Sequence, residues 1–345
     1  MVPAPPPAPA PPVGPPPPTR TRRGGRGFRP RFRVRYIFLL LLLWLVYLVA
    51  VPIIAWNRVD KVDFEPGGER PEDQPGTTYL LVGSDSREDL TKEEREELST
   101  GGAAGSRTDT IMVLHTGSGP NLLMSIPRDS IVDIPGEGTG KINAAYAFGG
   151  AKLLVRTIES ETGIRIDQYV EIGMGGVAGI VDAVGGITVC PKENMKDPLA
   201  GLDIKKGCQE VDGATALGYA RSRKTSGIGD IDRARRQREV VAAVGDKVLS
   251  PWTVVNPVRW WRLNNAIPDF FRFGEGAGPV RAGLWATAMT RVDGDKGLTC
   301  GVPIRDLAVN WDEERASKLF AKIIEDDTDS VGKDICSPTG IVNPQ

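Results

Sequence analysis

Residues 36–56 contain no charged side chain, and this apolar run limits the possible architectures more than any other feature. As a helix rising about 1.5 Å per residue, it would cross a hydrocarbon core of about 30 Å. Eight arginines and no acidic residue precede it, a bias typical of a cytoplasmic flank. A cleaved signal peptide would usually have an apolar region of only about 7–15 residues. We therefore predict one transmembrane helix at 36–56, with the N-terminus in the cytoplasm and the remaining chain outside the cell membrane.

The N-terminal tail, residues 1–35, begins with a Pro- and Ala-rich stretch whose composition predicts disorder. The arginines that follow could suggest RNA binding, but their position beside a membrane span favours a role in topology and attraction to anionic lipid. Without these eight arginines, the formal net charge of −1 becomes about −9 for the rest of the chain. We therefore expect a membrane partner and no nucleic-acid partner.

The composition of the remaining chain predicts three further segments. Residues 57–76 are rich in Pro, Gly and charge and predict a linker. Residues 77–250 alternate predicted strands with predicted helices, which indicates an α/β domain. The segment 251–345 is predicted as a C-terminal extension, and its helix near 279–290, its strand near 298–304 and its helix 312–327 either complete the domain or form a small subdomain.

Within the α/β domain, apolar runs and helical spacing define the individual elements. The predicted strands are 77–83, 108–116, 121–127, 166–172 and 187–190, and the predicted helices are 143–163, 174–186, 213–222 and 232–249.

The four cysteines all fall on the predicted extracellular side and lack the C-x-x-C spacing of zinc or thioredoxin-like sites. We predict two disulfides between sequence neighbours, Cys190–Cys208 and Cys300–Cys336. Each closes a modest loop and would stabilise the fold by a few kcal/mol.

Arginines and aspartates gather at the ends of predicted elements, where functional sites tend to lie. Arg233, Arg236 and Gln237 share one helix face. A single arginine is usually a surface salt bridge, but a set of them suits a ligand with several negative charges, such as a diphosphate. For the aspartates two interpretations stay open: turn capping with an arginine partner, or oxygen ligands of Mg²⁺. The set comprises Asp85, Arg87, Arg107, Asp109, Arg128, Arg221, Arg223, Arg233 and Arg236.

Several enzyme classes are disfavoured. His115 is the only histidine and falls in an apolar strand, so a buried structural role is expected and a Ser-His-Asp hydrolase or a histidine-bound zinc site is not. The chain contains neither a GxxxxGK[ST] loop nor a GxGxxG sequence after a strand, which argues against P-loop and dinucleotide sites.

The motifs resemble those of the LytR-CpsA-Psr (LCP) family of membrane-anchored cell-wall glycopolymer ligases. The resemblance covers about residues 77–250. The motifs on which it rests are, in chain order, LLVGSDSR, SRTDTIMV, MSIPRDS, KINAAYAFGG, VDAVGGITV, YARSR and DIDRARRQREVV. Asp232 stands where the family usually has Gly, and a Phe that usually follows the strand at 166–172 is absent. The composition and the paired cysteines favour an actinobacterial source.

The resemblance implies an α/β fold with a central, mostly mixed sheet flanked by helices, and a pocket for a polyprenyl diphosphate. It implies a phosphotransferase that moves a glycopolymer from this carrier onto peptidoglycan. By the same resemblance, Asp85 and Asp109 would hold Mg²⁺ or Mn²⁺. The predicted catalytic residues are Arg107, Asp109, Arg128, Arg221, Arg223 and Arg236, and the predicted diphosphate-binding residues are Arg87, Lys141, Arg233 and Gln237.

Two alternatives to the ligase stay open. The same residues could hydrolyse a polyprenyl diphosphate with water as the nucleophile, which would make the protein a pyrophosphatase. The family has also been described as transcriptional attenuators, so a membrane-bound regulator is the other alternative. The predicted topology argues against the regulator, because an extracellular site does not meet DNA and the tail contains no DNA-binding fold.

Overall fold

The computed structural model describes residue 14 and residues 34–84, 108–222, 229–292, 297–306 and 309–341. The α-helices are α1 Val34–Trp56, α2 Ile142–Thr162, α3 Met174–Ala183, α4 Gly213–Arg221, α5 Gly229–Val248, α6 Pro251–Val255, α7 Pro257–Phe270, α8 Pro279–Met289 and α9 Glu313–Ile324. The strands are β1 Asp60–Val62, β2 Thr77–Ser84, β3 Thr108–Thr116, β4 Asn121–Ile126, β5 Ile131–Ile134, β6 Gly138–Lys141, β7 Gln168–Gly173, β8 Ile187–Val189, β9 Met195–Asp197, β10 Leu202–Ile204, β11 Gln209–Val211, β12 Phe271–Gly274 and β13 Gly297–Gly301.

Seven strands form a central sheet in the order β1-β12-β7-β2-β3-β4-β13. The sheet is mixed: β2 pairs in parallel with β7 and antiparallel with β3, and β3 pairs antiparallel with β4. The outer strands β1 and β13 pair in parallel with β12 and β4. Strands β2, β4 and β7 therefore run in the same direction and end at the same edge of the sheet.

Helices flank both faces of this sheet. One face packs against α2 and α9 in a core that includes Leu80, Val113, Leu154 and Leu319. The other face carries Leu81, Met112 and Leu114 and packs against α8. Because successive side chains of a strand point to opposite faces, Leu80 and Leu81 belong to different cores. The architecture is the predicted α/β fold with a central mixed sheet between helices.

The predicted elements of the α/β domain are all present, with end positions within three residues of those observed. The largest differences are the start of α5, at Gly229 instead of 232, and the end of α3, at Ala183 instead of 186. Strands β5 and β6 pair as a hairpin, and β9–β10 and β8–β11 form two more small sheets. Apart from β8, these short strands were not predicted, since three or four residues give too little periodicity to recognise.

The segment 57–76, predicted as a linker, belongs to the folded domain instead. Its strand β1 extends the central sheet. Phe64 is buried and stacks on Tyr169 with ring centroids 5.8 Å apart. Arg70 donates two hydrogen bonds to the buried Glu159 of α2, the shorter one 2.7 Å long. A Pro- and Gly-rich composition predicts a linker, but these three long-range contacts fix the segment.

The C-terminal segment completes the central sheet. This is the first of the two alternatives that the sequence left open for residues 251–345. Strand β12 inserts between β1 and β7, and β13 forms the opposite edge beside β4. Both strands lie outside the predicted domain 77–250. The sheet of the α/β domain therefore needs residues from 60 to 301.

Helix α1 begins at Val34, two residues before the predicted span. Within the described part of the chain, α1 is the one helix that is both long enough and apolar enough to cross a membrane. Its mean hydropathy is 3.0. The chain divides into two compact units at residues 44 and 45, so that the second unit contains the end of α1 and the whole sheet.

His115 is buried, as expected for a structural histidine. Its Nδ1 lies 3.0 Å from Thr78 Oγ1, and its Nε2 lies 3.1 Å from Asp326 Oδ1. Asp326 also accepts a hydrogen bond from the backbone of Ser118. The histidine thus joins β3 to the turn after α9.

Both predicted disulfides are present, Cys190–Cys208 and Cys300–Cys336. The first spans 18 residues beside β8, and the second spans 36 residues and ties β13 to the C-terminal segment.

We predict that replacing Cys300 and Cys336 by Ala lowers the free energy of unfolding by about 4 kcal/mol, and replacing Cys190 and Cys208 by about 3 kcal/mol. The longer loop loses more chain entropy when it is closed in the unfolded state. Urea denaturation of both double variants, with and without reductant, measures the two values. Equal stability of the Cys300/Cys336 variant and the oxidised wild type would contradict the prediction.

Candidate functional site

A cavity of about 140 Å³ lies between the second face of the central sheet and the helices that cover it. Strands β2, β3 and β7 form its floor, and helices α3, α4, α5 and α8 form its walls. Most of its lining is apolar: Leu81, Val82, Met112, Val170, Ile172, Val177, Leu217, Ala220, Val240, Val241, Phe271, Trp285 and Met289. Mostly apolar walls with a few polar side chains are typical of ligand sites.

The polar lining side chains of the cavity are Ser84, Thr110, Arg221 and Gln237. Ser84 is the last residue of β2, and Thr110 is near the start of the neighbouring β3, so both come from one edge of the sheet. Arg221 is the last residue of α4. The cavity is therefore mostly apolar and carries one described cationic group, Arg221, at the end of α4.

The strand register brings further predicted residues to this edge. Ile111 of β3 pairs with Val82 of β2 on one side and with Ile126 of β4 on the other. β2 and β4 therefore end at the same level. Arg128 follows Ile126 by two residues, so it lies at the edge from which the cavity opens.

Arg221 and Gln237, both predicted, line the same cavity from two helices. Their neighbour Arg236 is 2% exposed. Its Nε donates a hydrogen bond of 3.1 Å to the carbonyl oxygen of Tyr219. The guanidinium donates a second hydrogen bond to the carbonyl oxygen of Ser222. Arg236 therefore holds the C-terminal end of α4, which carries Arg221, against α5.

Arg128 and Lys141, also predicted, meet at one carboxylate. Lys141 Nζ lies 2.7 Å from Asp129 Oδ1, and Arg128 Nε lies 3.4 Å from Asp129 Oδ2. Partial burial opposes ionisation of Asp129, but the hydrogen bond from Lys141 and the charge of Arg128 outweigh it and lower its pKa below the ordinary 3.8. The carboxylate thus fixes two cations beside the end of β4.

Two side chains of this region were not among the predicted site residues. Asp129 follows Arg128 directly, and its position between two predicted cations was the signal that could have identified it. Arg238 is buried, and its Nη1 lies 3.3 Å from Ser125 Oγ on β4. Arg238 lies three residues before Val241, which lines the cavity, so the two side chains share the sheet-facing side of α5. This helical spacing could have indicated the position of Arg238.

Four of the predicted site residues lie outside the described residues, and two others have no described side chain. The first group comprises Asp85, Arg87, Arg107 and Arg223, and the second comprises Asp109 in β3 and Arg233 in α5. Their roles stay predictions.

The pair proposed for Mg²⁺ or Mn²⁺, Asp85 and Asp109, fits a hard cation by its donor chemistry, because such ions prefer carboxylate oxygens. Ser84 pairs with Thr108 across β2 and β3, and the two aspartates are the next residues in sequence after these partners. Among the residues whose side chains the structure describes, no group of three or more His, Cys, Asp or Glu could hold a metal. The cation site therefore stays a prediction that rests on Asp85 and Asp109.

Residues 54–263 match the LytR_cpsA_psr family. The chain belongs to this family. The match includes every predicted site residue and covers more than half of the chain, and it extends upstream of the resemblance at 77–250 to include β1.

Two curated relatives support the assignment. The chain is 46% identical over 289 residues to the "Probable cell wall biosynthesis protein LcpB" of Corynebacterium glutamicum, which covers 81% of this chain and 68% of that protein. It is 39% identical over 182 residues to the "Polyisoprenyl-teichoic acid--peptidoglycan teichoic acid transferase TagU" of Enterococcus faecalis, which covers 52% of this chain and 56% of that protein. The corynebacterial relative agrees with the expected actinobacterial source.

The fold is that of solved family members. The "LytR-Csp2A-Psr enzyme from Actinomyces oris" superposes with a TM-score of 0.61 at 22% identity, over 77% of this chain and 96% of that one. At this identity the likeness shows the fold, and it agrees with the expected sheet between two layers of helices.

We predict that Arg236→Lys lowers the free energy of unfolding by about 1.5–3 kcal/mol, because a lysine lacks the planar fork that donates to both carbonyl oxygens. Arg235→Lys is the matched control, since Arg235 is a neighbour on α5 whose half-exposed side chain lies 4.0 Å from Glu239. The control should change stability by less than about 0.5 kcal/mol. Urea denaturation in detergent compares the two, and equal losses would contradict the assigned contact.

We also predict that Asp129→Asn destabilises the protein at neutral pH. Because the pKa of Asp129 is lowered in the folded state, its ionised form contributes stability above its ordinary pKa of 3.8, and this contribution is lost as the pH falls through the folded value. The difference between wild type and variant should therefore shrink below about pH 4. Asp203→Asn is the control, as Asp203 forms an exposed ion pair with Lys196. A difference that stays constant down to pH 2 would refute the prediction.

Proposed function

We propose that this protein is an extracellular phosphotransferase that moves a glycopolymer from a polyprenyl diphosphate carrier onto peptidoglycan. The observation that carries the proposal is the cavity between the sheet and the helices, whose lining is mostly apolar but includes Arg221 and Gln237. A lipid with an anionic head group likewise has an apolar chain and a charged end. The family relative named a teichoic acid transferase supports the substrate class.

The apolar part of the cavity suits only part of a long prenyl chain. Pockets of roughly 300–1,000 Å³ enclose ligands of drug-like size. A cavity of about 140 Å³ is smaller than this and therefore takes only the segment of the lipid nearest the diphosphate, while the rest of the chain remains outside. This arrangement places the diphosphate at the arginine end and keeps the carrier in the membrane.

At the arginine end, Arg221 would neutralise diphosphate oxygens, and Gln237 would donate a hydrogen bond to them. Arg128 extends the positive charge toward β4. In the transfer, an acceptor hydroxyl of peptidoglycan attacks the phosphorus next to the glycan, a new oxygen–phosphorus bond forms, and the bond to the departing polyprenyl phosphate breaks. The hydroxyl proton leaves to a base. Positioning and charge stabilisation do most of the work in such reactions.

Asp85 and Asp109 would hold Mg²⁺ or Mn²⁺, which neutralises charge and polarises phosphate oxygens when bound. The remaining predicted residues, Arg87, Arg107, Arg223 and Arg233, would complete the shell around the head group. Asp129 would fix Lys141 and Arg128 beside it through the ion pairs described above.

The proposed location is the outer face of the cell membrane. Helix α1 would be the single-pass anchor, since its length and mean hydropathy suit a membrane span. The arginines that precede it place the N-terminus in the cytoplasm. The anchor keeps the site beside a carrier lipid of the outer leaflet and near the peptidoglycan.

We expect Arg221→Ala to reduce transfer by about 10²-fold or more, because one charged group that stabilises the phosphoryl transition state contributes at least this much. The assay combines full-length protein in detergent, Mg²⁺, polyprenyl diphosphate-linked glycan and peptidoglycan, and it measures the phosphodiester product. Arg156→Ala is the matched control, since Arg156 is an exposed arginine on α2, at the opposite face of the sheet.

The same assay separates the alternatives. Release of glycan phosphate without attachment to peptidoglycan would identify a pyrophosphatase. If folded wild-type protein forms neither product, the transferase assignment is wrong. Equal activities of Arg221→Ala and wild type would show that the cavity is not the site.

A bulky side chain in the apolar part should block the lipid and leave the arginine end intact. We predict that Val241→Trp weakens donor binding by about 10–100-fold, since overlap with the lipid costs about 1–3 kcal/mol. Ala242→Trp, at the adjacent position of α5 outside the cavity lining, is the control. Donor titration of both variants tests this, with thermal unfolding as the measure of folding. Unchanged donor affinity of a folded Val241→Trp would contradict a lipid in this cavity.

A further inference from the structure

Helices α6 and α7 expose an apolar surface that the transferase site does not use. Trp252 and Val255 on α6 and Val258 and Trp261 on α7 each have half or more of their surface exposed. On its other side, α7 is held by the domain, where Leu263 is buried in the core shared with α3 and α5. We call the four exposed side chains the α6–α7 apolar surface.

Helix α7 packs parallel to the end of α1. Near the start of α7, the carbonyl oxygen of Pro257 accepts a hydrogen bond of 2.7 Å from the hydroxyl of Tyr47. Toward its end, Asn265 Oδ1 accepts one of 2.9 Å from Arg58, just beyond α1. Val51 and Ala55, between these two points of α1, are buried. The start of α7 therefore lies beside Tyr47, nine residues before the end of α1.

This packing fixes a depth if α1 spans a membrane. Tyr47 precedes Trp56 by nine residues, which is about 13 Å along a helix axis. Trp56 lies at the end of the apolar run, where tryptophan favours the headgroup region. Half of a hydrocarbon core is about 15 Å. The hydroxyl of Tyr47, and the start of α7 bound to it, thus lie within the outer half of the core.

The composition of α6 and α7 suits this environment. From Pro251 to Pro268 the chain has no acidic residue, and its two charged residues are Arg259 and Arg262. Arg259 donates to the carbonyl oxygen of Val184, and the exposed Arg262 is one turn closer to the headgroup level than Val258. Long cationic side chains near an interface reach the lipid phosphates.

We propose that α6 and the first half of α7 insert into the outer leaflet of the membrane as a second membrane-contacting element, with the α6–α7 apolar surface facing the lipid. This inference rests on the proposed role of α1 as the anchor. The bound occupant is the bilayer, because the surface continues directly from a helix of bilayer length and lies at the depth of its acyl chains. A soluble partner protein would not reach that depth.

The insertion orients the cavity. Phe271 directly follows α7 and lines the cavity together with Trp285. These two rings lie 5.5 Å apart, and Phe273 beside them lies 4.9 Å from Trp56 of the anchor. A row of aromatic side chains thus joins the apolar end of the cavity to the membrane-inserted elements, so a prenyl chain passes from the leaflet into the cavity along apolar surface.

The test places an environment-sensitive fluorophore at single introduced cysteines of the full-length chain, whose native cysteines are paired. The variants are Val255→Cys and Val258→Cys in the apolar surface, Val49→Cys in α1 as the anchor control, and Leu199→Cys as the matched control. Leu199 is an exposed apolar side chain, 77% exposed, on the 3₁₀ helix Pro198–Ala200. Each labelled protein is reconstituted into vesicles of phosphatidylcholine and phosphatidylglycerol, and quenching by doxyl-labelled phosphatidylcholine and by aqueous iodide is measured.

We expect the probes at 255, 258 and 49 to lose emission to the doxyl lipid and to be shielded from iodide, and the probe at 199 to show the reverse. If position 49 is quenched by lipid but 255 and 258 behave like 199, α1 is the anchor and the second element is refuted. If 255 and 258 are shielded from both quenchers, protein covers the surface, as in a dimer, and the proposal is wrong. An unquenched probe at 49 overturns the anchor and this inference together.

Discussion

The register of β2 with its two neighbours is the constraint on which the rest of the structure depends. Leu81 pairs with Met112 on one side and with Val170 on the other, so three apolar side chains of the same face form the cavity floor. A slip of one residue would turn all of them to the opposite face, against α2 and α9. The same register brings the ends of β2 and β4 to one level, where the cationic residues gather. The lipid part and the charged part of the proposed site are thus two consequences of one pairing.

The charged side chains near this site contribute mainly by fixing backbone and other charges. Arg236 is buried and bonds two carbonyl oxygens at the end of α4, so the position of Arg221 depends on it. Asp129 joins Arg128 to Lys141. The positive charge of Arg236 adds to the potential at the cavity end. Arg236 acts on an anionic ligand through this potential and through Arg221.

Local patterns in the sequence were sufficient for the longer elements, and tertiary contacts decided the rest. Strands such as β3 and helices such as α9 have enough residues for their period to be recognised, and the order of the motifs indicated which cations share a site. The three residues of β1 carry no such signal, and their partner β12 lies more than 200 residues along the chain. For that reason 57–76 was predicted as a linker. The contact of Arg236 with Tyr219 and Ser222, and that of Arg238 with Ser125, depend likewise on the packing of α5, which the sequence pattern does not specify.

The inclusion of β1 in the sheet changes how the site relates to the membrane. A flexible linker of about 20 residues would let the domain move over roughly 25 Å. Here only Asn57, Arg58 and Val59 separate α1 from β1, and Lys61 of β1 lies 3.5 Å from the ring centroid of Trp56. Arg58 is bonded to α7 on the same side. If α1 is the anchor, the cavity stands at a fixed height and orientation above the bilayer. The carrier lipid must then diffuse to the site, and the peptidoglycan acceptor must approach it from the opposite side.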